Sequence, residues 1–141
     1  MKSSCLLLLI VMAFTTPSCT RDNDDSGNNQ TQIQNVSTGN WRVTLFTDSG
    51  NDETSDFTGY SFQFNTSGTV AATRSGVSQN GIWNINSSST KFNLDLGAKI
   101  DTNRPLGELT DDWQIISISN TEIKLTDDNP ASNEFLTFTK N

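Results

Sequence analysis

The 141-residue chain carries 16 acidic and 9 basic residues, a net charge of −7, no histidine and two cysteines. An acidic balance of this size disfavours a polyanionic partner such as nucleic acid. With no histidine and with both cysteines, Cys5 and Cys19, near the N-terminus, the chain lacks the usual general base, a thiol nucleophile in its body and the soft ligands of a zinc site, so no catalytic residue and no cofactor is expected.

Residues 1–18 read as a secretory signal. Lys2 supplies the positive start, Leu6 to Phe14 form an apolar run too short to span a bilayer, and Thr15-Thr16-Pro17-Ser18 lead into Cys19. A cysteine after small residues at the end of such a run resembles the lipobox of bacterial lipoproteins of the Bacteroidetes type, with Thr16 where leucine is usual and Pro17 also atypical. The resemblance implies that Cys19 is diacylated and becomes the first residue of the mature protein. Ordinary cleavage leaving a free thiol is the alternative. No cysteine follows Cys19, so a disulfide framework is excluded and anchoring gives the lone thiol a purpose. Multiple acyl chains hold a protein to a membrane far more stably than one. The expected location is the outer membrane of a Gram-negative bacterium, on its periplasmic or cell-surface side, with the membrane as partner through covalent lipid.

Residues 19–38 are rich in Asp, Asn, Ser, Gln and Thr and poor in large apolar side chains, which predicts a disordered tether. Within it, Arg21-Asp22-Asn23-Asp24-Asp25 resembles the acidic export signal of some Bacteroidetes lipoproteins; a solvated linker is the equal alternative.

Residues 39–141 form one small domain, and period-two alternation dominates them. Trp41, Val43 and Leu45 alternate with Arg42 and Thr44; Tyr60, Phe62 and Phe64 with Ser61 and Gln63; Phe92, Leu94 and Leu96 with Asn93 and Asp95. Shorter strands are expected at Thr69–Arg74, Gly81–Asn86, Trp113–Ser119, Glu122–Thr126 and Glu134–Lys140. Bend-prone residues separate the strands, as in Asn65-Thr66-Ser67-Gly68, Ser75-Gly76 and Asp127-Asp128-Asn129-Pro130, so neighbours are expected to be antiparallel. The longer link from Gly97 to Asp112 has room for a helical turn near Leu106 to Leu109. The prediction is an all-β, eight-stranded antiparallel up-and-down barrel, which leaves no exposed sheet edge. An open sandwich of two sheets fits the same pattern.

These segments resemble the small lipocalin-like domains of Bacteroidetes lipoproteins. Gly39-Asn40-Trp41 matches the Gly-x-Trp of the first lipocalin strand, Tyr60 to Thr69 matches a Phe-x-Phe hairpin ending in Gly-Thr, and Gly81-Ile82-Trp83-Asn84-Ile85 matches a second Gly-x-Trp strand. The closing Leu136 to Lys140 is also similar. Unlike the larger lipocalins, the sequence shows no long flanking helix and no arginine after the last strand to stack on the first tryptophan.

The resemblance implies a non-catalytic module that binds a small apolar ligand, with Trp41, Tyr60, Phe62, Phe64, Trp83 and Phe92 facing the barrel interior. An eight-stranded barrel is wide enough only to be filled by side chains or to hold one small ligand, and the inward residues here are large. The alternative is a filled scaffold that works through its surface as an inhibitor, adhesin or assembly partner. Asp48, Asp52, Glu53 and Asp56 form an oxygen-rich loop with weak resemblance to a calcium site, lacking EF-hand spacing; a solvated loop is the competing reading. If Cys19 carries lipid, Cys19→Ser abolishes incorporation of radiolabelled palmitate, and retained label rejects the assignment.

Overall fold

The structure is a computed structural model that describes residues 25–141; the expected signal segment, Cys19 and the start of the expected tether lie outside these residues. Nine strands run in chain order: β1 Trp41–Asp48, β2 Asn51–Asp52, β3 Ser61–Phe64, β4 Thr69–Arg74, β5 Val77–Ile85, β6 Lys91–Asp95, β7 Asp111–Ile118, β8 Glu122–Thr126 and β9 Phe135–Lys140. Each main strand pairs antiparallel with the next, and β9 returns to β1, so eight strands close into a barrel while β2 only extends the end of β1. The expected up-and-down barrel is the observed fold, and the sandwich is excluded.

Alternation explains the inside. Phe62, Phe64, Phe92, Ile123, Leu136 and Phe138 are all fully buried; in β3, β6 and β8 the residues next to them along the strand are more exposed, while in β9 Thr137 between Leu136 and Phe138 is also buried. One expectation fails: Leu45 is exposed and Phe46 is buried in its place. The cause is a break in register between Val43 and Leu45 in the β1–β9 ladder. A bulge adds one residue to one strand and so moves every later side chain to the other face. Strand β5 begins at Val77, four residues before the expected Gly81, because a tight turn at Ser75 and Gly76, both at positive φ, lets it pair with β4 from its first residue. Gly81 is where the end of β6 comes closest, since a Cβ there would collide with the Asp95 carbonyl oxygen.

The tether expectation needs correction. Asp25–Val36 is a helix, α1, and Val36 is fully buried in the barrel core with Ile33 packed against it. The segment is too polar to build a core of its own, which is why composition reads it as disordered. Its order is borrowed from the barrel through two apolar residues and a hydrogen bond from Asn29 Nδ2 to the Asn86 carbonyl at 2.7 Å. The folded unit therefore begins before residue 39. At the same end, Trp41 Nε1 donates to the Val36 carbonyl at 2.8 Å. The Lys140 ammonium lies 4.9 Å from the Trp41 ring centre, so a lysine within the last strand covers the first tryptophan.

At the opposite end, 3-10 turns at Asp101–Asn103 and Leu106–Leu109 cover the barrel, the second as expected, with Leu106 and Leu109 buried. Trp113 Nε1 donates to the Leu109 carbonyl at 2.9 Å and ties this cover to β7.

If α1 is part of the fold, Val36→Ala lowers the urea-unfolding free energy by about 1–3 kcal/mol, the range for deleting buried apolar atoms. A segment that behaved as a free tether would leave the midpoint where it was.

Candidate functional site

Four of the six expected interior residues, Phe62, Phe64, Trp83 and Phe92, form one aromatic mass with Phe138 rather than a lining. Phe64 meets Trp83, Phe138 and Phe92 edge-on at ring-centre distances of 5.4, 5.6 and 5.7 Å, Phe62 meets Phe138 at 5.2 Å, and Trp83 stacks on Phe92 at 5.5 Å. These are the preferred separations of packed rings, each adding about 0.5–1.5 kcal/mol beyond area burial. Trp41, Phe62, Phe64 and Phe92 are 0% exposed and Trp83 is 3% exposed. Five of the six residues expected to face a ligand thus face one another or the helix. Tyr60 differs: it is half-buried and lies just before β3, at the rim.

The rim is where the barrel is open. Strands β1 and β3 share a single backbone pair, Trp41 with Phe62, whereas every other neighbouring pair of main strands shares at least four. Beyond Trp41, the edge of β1 is met by other groups: Phe46 N–H donates to Thr54 Oγ1 at 2.9 Å, and Glu53 N–H donates to the Phe46 carbonyl at 2.9 Å. A 3-10 turn at Thr54–Phe57 places the buried Phe57 behind this seam. The result is a cleft of about 430 Å³ between the strands, lined by Arg42, Val43, Phe57, Gly59, Tyr60 and Asn141 among others.

A second cleft of about 250 Å³ meets the first at Tyr60, and its walls are Ala72, Arg74, Val77, Gln79 and Leu106. Ala72, Arg74, Val77 and Gln79 lie on the inward phase of β4 and β5, continuing the rows of Val70 and of Trp83. The β4 row ends in Arg74, and the β5 row carries Gln79 next to its exposed first residue, Val77. Sequence reading stopped at the apolar members and missed Arg74, although its place in the Val70-Ala72-Arg74 alternation was the available signal. The guanidinium carbon of Arg74 lies 4.3 Å from the Tyr60 ring centre. Gln79 Nε2 donates to the Leu96 carbonyl and, at 2.9 Å, to Asn103 Oδ1.

The acidic loop does not gather. Asp48 accepts from the Ser49 hydroxyl at 2.9 Å and Asp52 from the Thr54 N–H at 2.9 Å, so both carboxylates shape local turns. Among the described residues, no three Asp, Glu, His or Cys side chains stand close enough to hold a metal ion. Asp52 is held below the usual carboxylate range by its hydrogen bonds from Thr54.

Other charges pair along the edges of the strands. Lys99 reaches Asp111 at 2.7 Å, Lys91 sits between Asp112 and Asp128 at 3.4 and 3.1 Å, and Arg104 meets Glu108 at 2.8 Å. Burial opposes ionisation of Asp111, yet the Lys99 ammonium and the Asp112 N–H hold its carboxyl below its ordinary value. Glu134 is the exception: burial and the neighbouring Asp48 and Asp127 push its carboxyl up.

No family model matches the sequence, and no curated protein sequence matches it. Solved structures do resemble it. A DUF4847 family protein from Bacteroides vulgatus superposes with a TM-score of 0.54 at 13% identity, covering 75% of this chain and 94% of that one. A protein from Burkholderia xenovorans, solved by NMR, gives 0.47 at 14% identity, over 94% of this chain and 99% of that one. At such identity the first likeness supports the barrel fold alone.

The raised Glu134 carboxyl makes a pH prediction. A carboxyl with a raised folded-state value favours the fold while protonated, and that contribution is lost as pH rises through the folded value. Glu134→Gln, which keeps the side chain neutral, raises the urea midpoint at pH 7 and leaves it unchanged well below the ordinary glutamate value of 4.5. An equal effect at both pH values rejects the electrostatic cause.

Proposed function

We propose that this protein is a lipid-anchored, non-catalytic envelope lipoprotein whose barrel is a filled scaffold, acting through its outer surface and rim as an inhibitor, adhesin or assembly partner. The observation that carries the reading is the closed set of ring contacts from Trp83 through Phe92 and Phe64 to Phe138 and Phe62. Close-packed protein interiors hold few voids larger than a water molecule. A ligand entering the middle of the barrel has to displace rings whose contacts stabilise the fold, so the carrier function implied by the lipocalin resemblance has no ready chamber.

The anchor rests on the sequence around Cys19. Acidity of the chain gives no attraction to anionic lipid, which leaves acyl chains as the means of attachment to the outer membrane. The absence of histidine and the dispersal of the carboxylates support a role without catalysis, and the net charge of −7 disfavours nucleic acid.

Uncharged apolar ligands separate scaffold from carrier. Retinol, cholesterol and hexadecanol should leave both the melting temperature and the tryptophan fluorescence of the purified protein unchanged. A ligand that raises the one and quenches the other establishes an interior site and overturns the filled-scaffold reading.

A further inference from the structure

Charge is divided unevenly between the two ends of the barrel. Its strands run up and down, so the turns after β3, β5 and β7 lie at the α1 end with the start of β1 and the finish of β9. The other connections lie at the far end, under the Leu106–Leu109 turn. Of the 13 acidic residues from Trp41 onward, 12 belong to the far end. They sit at the end of β1 and in the segment after it, at the end of β6, in the 3-10 turns of the cover, at the start of β7 and between β8 and β9. Three basic residues, Arg74, Lys99 and Arg104, share that end.

The α1 end is close to neutral. Its turns, Asn65-Thr66-Ser67-Gly68, Asn86-Ser87-Ser88-Ser89-Thr90 and Ser119-Asn120-Thr121, are uncharged throughout, and α1 has one charged residue, Asp25, at its start. These pieces pack together: Asn29 donates to the Asn86 carbonyl, Ile33 shares a small cleft with Thr66, Ser67 and Gly68, and Lys140 N–H donates to the Thr121 carbonyl at 2.9 Å. Glu122, the one acid on the strands at this end, is bridged by Lys124 at 3.1 Å. Lys91 is engaged by Asp112 and Asp128, whereas Arg42 and Lys140 hold no carboxylate among the described residues.

Length adds a second constraint. Six residue steps separate Cys19 from Asp25, a span of at most about 20 Å, so a lipid on Cys19 keeps the start of α1 near the membrane. A strand of six residues such as β9 rises about 20 Å, or roughly 15 Å along the axis of a barrel with tilted strands. That is about two screening lengths at physiological salt. Far-end charges therefore escape an anionic surface when α1 faces it, and meet its full repulsion when the barrel is turned over. Arg21, Asp22 and Asp24 stay within reach of Cys19 in either orientation, so they do not choose between the two.

We propose that the anchored barrel stands with its α1 end against the lipid headgroups and its acidic end outward, repulsion of the far end by anionic lipid setting the orientation. The Asn, Ser and Thr side chains of the three turns offer the headgroups neutral hydrogen-bonding groups, and Arg42 and Lys140 bring positive charge to the same side. The inference rests on the anchor proposed above and names the surface that the anchor leaves free for a partner, the acidic end.

The chain from Cys19 onward keeps every described residue and has a single thiol, so coupling it to a maleimide lipid fixes the anchor chemically. On nanodiscs of phosphatidylcholine and phosphatidylglycerol that include a lipid with a gadolinium-chelating headgroup, amide signals of residues 65–68, 86–90 and 119–121 should broaden several-fold more than those of 75–77, 101–103 and 127–133. On phosphatidylcholine alone that difference should shrink, a check that needs no variant. Thr66→Asp, Ser87→Asp and Asn120→Asp together, all at exposed positions, should remove the difference on anionic discs while the melting temperature holds. Equal broadening at both ends, stronger broadening at the far end, or a difference indifferent to both lipid charge and the three substitutions overturns the proposal. Palmitate label retained by Cys19→Ser would reject the cellular anchor and leave this measurement standing, so the two readings fail separately.

Discussion

The structure depends on how three buried tryptophans satisfy their single polar atom. An indole N–H taken from water without a partner costs about 1–3 kcal/mol, and each ring here finds a backbone carbonyl. Trp41 donates to the end of α1, Trp83 to Asn65 in the turn after β3 and Trp113 to Leu109 in the 3-10 cover. The Trp41 and Trp113 bonds join a strand wall to a closing piece, and the Trp83 bond ties β5 to the β3–β4 turn. The closing pieces are therefore held in place by the same residues that fill the centre, and the barrel is capped by α1 at one end and by the Leu106–Leu109 turn at the other.

That arrangement has a cost in volume and a consequence for function. Rings large enough to reach the end pieces leave little space between them, and the phenylalanines occupy what remains. A barrel of this strand number stands at the margin between filled and hollow. Side-chain size puts this one on the filled side. One opening lies where pairing fails, at the β1–β3 seam, because the chain between β2 and β3 turns inward as a short helical turn instead of continuing the ladder. The cleft beside Phe57 and Tyr60 is the outcome of that failed pairing, while the mouth-facing ends of β4 and β5 supply Arg74 and Gln79 to the neighbouring one.

The parts legible in the sequence are those that local periodicity governs. Phe62 and Phe64, or Phe92 and Leu94, announce a strand and its buried face within a few residues, and Ser75-Gly76 announces a turn. Leu45 shows where this stops. Its phase depends on a bulge against β9, a strand about ninety positions further along the chain, and no local pattern carries that information. The helix Asp25–Val36 was illegible for the same reason, since its polar composition forms an ordered element only when Val36 and Ile33 have the barrel to pack against. Arg74 lay in plain alternation with Val70 and Ala72, yet whether an inward arginine is a flaw in the pattern or part of an opening depends on where the barrel ends.

Sequence by itself determined that the chain is strand-forming, that its strands meet antiparallel through short turns, that its inward side chains are large, and that histidine chemistry is absent. These follow from residue type and from spacing over a few positions, where backbone sterics and the two-residue period act. Tertiary structure alone decided that the aromatic side chains meet one another, that the polar N-terminal stretch becomes a cap, that the acidic loop residues do not converge, and that Arg42 and Arg74 line two clefts with Tyr60 in common. Each of these is a relation between distant segments, set by ladder register and barrel closure, and register is a property of paired strands that a single strand cannot express.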